Sequence, residues 1–239
     1  MPELPEVEHI RRTLAERIGG MTIQGVRVNR EDVVRARVPR RRLGAALLRD
    51  GIVRGLSRHG KKMAIVVDDG RAIEFGLGMS GHFILEDAGR RPGRQKHRHV
   101  TWSLKGDSES RALRLVWRDP RRFGGLVPFP SELEMHRSWE TRYGPDALVI
   151  TSAQLHERLA RTRRSVKTAL LDQGMLAGVG NIYADEALFR SGIHPETRGC
   201  DLEIGRTRLL QKAVRRILHQ AIRMGGSTIR DHQDPLDQP

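Results

Sequence analysis

The feature that most restricts what this chain can fold into is a change of apolar period, twice, along its length. From Leu4, the apolar residues Val7, Ile10, Leu14 and Ile18 recur at three- and four-residue spacing, the stripe of an amphipathic helix, and Gly19-Gly20 supplies its stop. The spacing then shortens. Ile23, Val26 and Val28, then Met63 to Val67, then Ala72 to Phe75 read as strands, with Asp68-Asp69-Gly70 as a hairpin turn. Val100 to Leu104 and Leu113 to Trp117, joined through Gly106, read as a second hairpin. Past Pro128 and Pro130 helical spacing returns, over 131–143, 152–160, 165–171, 181–189 and about 201–224, with Gly225-Gly226 closing the last helix. The expectation is an α+β chain: a helix with a mostly antiparallel sheet system over 1–130, helices over 131–230, a short tail over 231–239, and a ligand cleft where the two units meet.

Charge narrows the partner. Forty-three basic residues against 29 acidic ones leave a formal +14, and a chain this cationic is drawn to polyanions through counterion release. Arginine supplies 37 of the 43, which suits bidentate phosphate contacts, although genome composition produces the same bias. Apolar runs such as Ala64 to Val67 are too short to span a bilayer, and Pro2 to Glu8 carries three glutamates where a cationic leader belongs. A cytoplasmic protein is expected, nucleoid-associated if bacterial, with no membrane partner. The single cysteine, Cys200, forms neither an internal disulfide nor a four-cysteine zinc site, and His97 and His99 on a basic loop are poor metal ligands. No metal and no cofactor are expected.

The chemistry begins at Met1-Pro2-Glu3-Leu4-Pro5-Glu6. Removal of Met1 leaves Pro2 as a secondary amine. An α-amino group titrates near pH 8 and a lysine above pH 10, so at neutrality the terminal amine offers roughly 300 times more of its nucleophilic form. Attack of a secondary amine on a sugar aldehyde carbon gives a cationic iminium, an electron sink for breaking neighbouring C–O bonds. Glu3 beside it is placed to move protons. The plainer explanation is that Glu3 and Glu6 simply favour a helix N-terminus.

The run Pro2 to Glu8 resembles the opening of the formamidopyrimidine-DNA glycosylase family, and further motifs follow in order. They are Gly60-Lys61, Leu77-Gly78-Met79-Ser80-Gly81, Asp119-Pro120-Arg121-Arg122-Phe123-Gly124, Tyr143-Gly144-Pro145, Lys167 through Asp172-Gln173, Gly178 to Ala184, Ser191 to Pro195 and Gly225 to Asp231. The resemblance implies an N-terminal helix with an antiparallel β-sandwich, followed by a helix–two-turn–helix DNA-binding unit. It implies a monomeric base-excision enzyme, a DNA glycosylase and abasic-site lyase acting on double-stranded DNA with oxidised purines or abasic sites. Carried over residue by residue, it makes Pro2 the nucleophile, Glu3 the general acid, Glu6 a supporting polar group, and Lys61 and Asn181 grips on the phosphates around the lesion. Met79, Arg121 and Phe123 fill the gap left by a flipped nucleotide, as base-excising enzymes require. Arg122, Lys167, Tyr183 and Arg230 lie in the same motifs and are expected to contact DNA.

Two positions depart from the pattern. The family's histidine before the Leu-Gly-Met-Ser-Gly loop is Gly76 here, so one polar group of the family pattern is absent. No cysteine follows Cys200, so the family's four-cysteine zinc finger is not expected, and Arg230 or the basic loop from Arg90 to His99 is the candidate substitute. The alternatives are an enzyme retaining only the lyase step or taking a different lesion, or a non-catalytic binder of damaged DNA.

Overall fold

The computed structural model describes residues 2–91, 96–107 and 112–226. Helix α1 (Leu4–Ile18) leads into β1 (Thr22–Val28), the short α2 (Leu43–Ala46), and seven further strands: β2 (Val53–His59), β3 (Lys62–Val67), β4 (Ala72–Gly76), β5 (His82–Asp87), β6 (Arg98–Lys105), β7 (Ala112–Arg118) and β8 (Gly125–Phe129). They form two four-stranded sheets with orders β1-β6-β7-β5 and β2-β3-β4-β8, every pair antiparallel. Helices α3 (Glu132–Arg142), α4 (Ser152–Ala160), α5 (Val166–Leu171), α6 (Asn181–Ser191) and α7 (Ile204–Arg223) complete the described chain. The sandwich-then-helices architecture is the expected one.

Each sheet buries one face against the other, and Phe75, Phe83, Trp102 and Trp117 fill the space between them. Phe75 and Phe83 meet edge-on with centroids 4.9 Å apart, a geometry that favours the ring quadrupoles. A second core joins α4, α5, α6 and α7. Helix α1 belongs to both: Val7, Ile10, Leu14 and Ile18 sit in the sandwich core, while Leu4 is buried in the helical one. That division fixes the start of the chain at the seam between the two units. Helix α3 follows the proline break, yet packs Met135 and Trp139 onto Ala64, Val66 and Ala72 of the second sheet.

Three strands go beyond the sequence expectation. β2 buries only Val53 and Leu56 and carries a bulge between Val53 and Gly55, so its period is broken. β5 buries Phe83 and Leu85 and leaves His82, Ile84 and Glu86 half-buried, so the apolar Ile84 blurs its alternation. β8 contains Pro128, which reads as a break in the sequence; the strand stands at the edge of its sheet beside β4, with a single further bridge from Leu126 to Val34, and an edge strand tolerates a proline. The last helix is shorter than expected, because Gly199–Asp201 form a separate 3-10 turn and Leu202 and Glu203 are extended before α7 begins. His99 lies in β6, not on a loop; it is 3% exposed and its Nε2 is 2.8 Å from the Asp119 carbonyl.

Candidate active site at the seam

Glu3 caps α1 in extended conformation, its N–H donating to Glu6 Oε2 at 2.9 Å, and Pro5 occupies the first turn, where a missing N–H costs nothing. The Leu4 N–H donates to the Gly178 carbonyl at 3.2 Å, docking this turn onto the loop before α6. The Glu3 carboxylate completes the dock: Oε2 accepts from the Gly180 N–H at 2.6 Å and Oε1 from the Ile182 N–H at 3.1 Å. These are orphan donors at the start of α6, where the helix dipole also favours an anion. The loop is glycine because nothing larger fits. Gly178 has φ +114°, and a Cβ on Gly180 would stand 2.3 Å from the Glu3 carboxyl carbon. Gln173 holds the loop from behind, donating to Leu171 and Val179 carbonyls and accepting from the Gly178 N–H at 3.0 Å.

Burial sets the protonation of this corner. Glu3 is 3% exposed, and burial pushes its carboxyl above the usual range against the opposing pull of Lys61 and the Ile182 and Gly180 N–H groups. Lys61, on the turn between β2 and β3, is pushed down by burial, with Glu3 and Glu6 opposing. Burial thus moves both groups towards neutrality, the direction in which a carboxyl becomes a better proton donor near neutral pH. Pro2 and Lys61 line one cavity of about 390 Å³, together with Leu77, Phe123, Tyr143 and Gln173.

Across the cavity mouth, the loops after β4 and β7 bring the three expected void-fillers together. Met79 is 46% and Phe123 63% exposed; Arg121 Nη1 is 3.8 Å from the Met79 sulfur, and its guanidinium lies 5.7 Å from the Phe123 ring centroid. Buried Asp119 ties the loops. Its carboxylate accepts from the Ser80 hydroxyl and, at 2.7 Å, from the Gly124 N–H, while Ser80 Oγ accepts from the Arg121 N–H at 3.0 Å.

The other expected residues fall in different places. Asn181 opens α6 and is exposed. Lys167 is ion-paired with Asp185 at 2.7 Å. Arg122 adopts φ +57° and lies 3.7 Å from Asp32, lining a separate surface hollow with Asn29, Arg30 and His97. Tyr183 is 4% exposed, and its hydroxyl donates to Glu6 Oε1 at 2.7 Å, so its ring packs in the core and steadies Glu6 from inside. Arg230 and the tail lie outside the described residues. Among the described residues no three His, Cys, Asp or Glu side chains gather as metal ligands.

Two networks escaped sequence reasoning. Arg58 bridges Glu8 (3.0 Å) and Asp146 (2.5 Å) and also donates to the Gly60 carbonyl, bracing the Lys61 turn. Glu74 is 1% exposed and accepts from Trp139 Nε1 at 2.7 Å and Arg142 at 2.5 Å. Glu8 carried a signal as the end of the Pro2 to Glu8 run, and Asp146 by following Tyr143-Gly144-Pro145.

Comparison with known proteins agrees with this geometry. The formamidopyrimidine-DNA glycosylase N-terminal domain matches residues 1–126, and the H2TH domain of formamidopyrimidine-DNA glycosylase matches residues 143–233. The chain is 37% identical to the formamidopyrimidine-DNA glycosylase of Bacillus subtilis over 97% of its own length and 82% of the relative's. With that of Halorhodospira halophila it shares 41% identity over 100% and 85%. Among solved structures, the wild-type Lactococcus lactis enzyme bound to DNA containing N7-benzyl-Fapy-dG superposes with a TM-score of 0.85 at 30% identity, over 96% of this chain and 82% of that one. The same enzyme bound to DNA with an abasic site gives 0.85 over 96% and 81%. The chain belongs to the formamidopyrimidine-DNA glycosylase family.

Proposed function

We propose that this base-excision-repair DNA glycosylase works through Pro2. With Met1 removed, the Pro2 nitrogen attacks C1′ of a nucleotide drawn out of the duplex while Glu3 gives its proton to the ring oxygen, which opens the sugar. The proton lost from the attacking amine then leaves with the base as the glycosidic bond breaks, and a cationic iminium remains. Loss of a C2′ proton then expels the 3′ phosphate, and a second elimination expels the 5′ phosphate. Oxidised purines, 8-oxoguanine and formamidopyrimidine, are the proposed lesions. Lys61 and Asn181 hold the flanking phosphates, Met79, Arg121 and Phe123 occupy the emptied stack, and Lys167, Arg122 and Arg230 contact the backbone further out. Action as a monomer is part of the proposal, and the +14 charge supports work on nucleoid DNA.

The observation that carries this reading is the shared cavity: Pro2 and Lys61 line it, with the buried Glu3 carboxyl pinned beside it by α6. Its test is Glu3→Gln on a duplex carrying 8-oxoguanine opposite cytosine. Base release should fall by roughly 100-fold or more, the usual worth of a placed general acid. Cleavage of a preformed abasic site should survive. Unchanged base release would remove Glu3 from the mechanism.

A further inference from the structure

Lys62 follows Lys61 in the chain, and nothing above gives it a role. It begins β3 directly opposite Gly76, the last residue of β4. A Cβ built on Gly76 would stand 2.5 Å from Lys62 Nζ, so the ammonium occupies the space that any other side chain at 76 would take. From there it faces the cavity that Pro2 and Lys61 also line. Where the family pattern has a histidine, this chain thus offers a cation reaching in from the neighbouring strand.

That cation shares its partner with other groups. Its counterion is Glu74 Oε1 at 3.8 Å, long for a hydrogen bond, and Oε2 of the same carboxylate already serves Trp139 and Arg142. Arg35, Lys61 and Arg142 line the same cavity, so among the described residues its cations outnumber its one lining carboxylate, Glu74, four to one. Burial depresses the Lys62 ammonium, Glu74 opposes this, and Arg142 adds to it. An entering anion relieves all of these strains at once, whereas a neutral base relieves none.

We propose that Lys62 is a second phosphate-binding cation of this site, admitted to the cavity by Gly76 and acting with Lys61 on a backbone phosphodiester next to the attacked sugar. The assignment rests on the reading of the cavity given under Proposed function. With two lysines on one side, the phosphate is gripped as the nucleotide enters, before Pro2 reacts.

The test uses a duplex containing a tetrahydrofuran abasic analogue, which has no aldehyde and cannot react with an amine, so binding is measured apart from catalysis. Lys62→Ala should raise Kd roughly tenfold near 0.1 M salt, as expected for a charge-assisted hydrogen bond. It should also flatten the slope of log K against log salt by about 0.9, one phosphate's worth of counterions. Gly76→Ala, which displaces Nζ but leaves the lysine in place, should do the same. The double variant should be no worse than either single, and Lys62→Arg should restore part of the slope. A purely structural lysine would lower the melting temperature without changing the salt slope. A wild-type slope in folded Lys62→Ala overturns the assignment, and if that variant does not fold, a wild-type slope in Gly76→Ala overturns it instead. Failure of the Pro2 reading appears elsewhere, as wild-type protein that gives no borohydride adduct on a true abasic site.

Discussion

Gly180→Ala is the sharpest perturbation of the seam. The new Cβ would stand 2.3 Å from the Glu3 carboxyl carbon and 2.5 and 2.6 Å from its oxygens, distances no rotamer change at an alanine can relieve. Either α6 retreats or the carboxylate leaves, and leaving gives up two hydrogen bonds to an ionised group, worth about 1.5–3 kcal/mol each. Water reaching the freed Gly180 and Ile182 N–H groups returns part of this, so a net loss of about 2–4 kcal/mol is expected by urea denaturation. The catalytic consequence is separable. Burial is the largest influence raising the Glu3 carboxyl, so a carboxyl swung into water titrates lower. Only its protonated form gives up a proton, and the active fraction falls as pH rises through its pKa. The alkaline limb of base release should therefore move to lower pH, and the rate at neutrality should drop by roughly 100-fold. Cleavage of preformed abasic sites, which relies on Pro2, should persist. A variant within about 0.5 kcal/mol of wild type, with an unmoved pH profile, would show that the Glu3 carboxylate does not sit against α6.

Glu8 gives a stability prediction with a defined pH window. Burial tends to raise its carboxyl, but the Arg11, Arg12 and Arg58 guanidiniums outweigh that and hold it at about 2, against 4.5 in the unfolded chain. A depressed carboxyl stabilises the fold above its unfolded pKa and loses that contribution as pH falls towards its folded one. Glu8→Gln should thus cost about 3 kcal/mol at pH 7 by chemical denaturation, and the gap from wild type should close between pH 4.5 and 2. Phe123→Ala should leave the melting temperature nearly unchanged, because the ring is 63% exposed. The same change should slow excision from duplex DNA much more than from single strands, where no stacked gap needs filling; equal slowing on both would remove the wedge role.

Much of this molecule is legible in its sequence because the signals are local. The helix over 152–160 is placed to the residue, since its N-cap Thr151 accepts from the Gln154 N–H three positions on. Ser131 and Ser165 cap α3 and α5 in the same way. The Asp68-Asp69-Gly70 hairpin follows from turn chemistry alone, with Gly70 at φ +87°. β2 and β8 are hidden because a bulge and an edge proline break the alternation that reveals a strand. Motifs identify Pro2, Glu3 and Lys61, but their neighbours come from far along the chain: the donors that hold Glu3 are 177 and 179 residues away. No spacing encodes that pairing. Tyr183 shows the converse, since motif membership alone does not reveal that its hydroxyl braces Glu6 from within. Lys62 escapes a reading of the sequence because its position depends on the missing side chain at 76, which only the paired strand reveals.

The central claim is that the chain's own terminal nitrogen is the nucleophile. Reducing the wild-type protein with borohydride on abasic duplex DNA, then digesting it and locating the added mass, tests that claim directly. The sugar remnant is expected on the nitrogen of Pro2, in a peptide from which Met1 is gone. An adduct on the side-chain amine of Lys61 or Lys62, or trapped protein that still carries Met1, would contradict it.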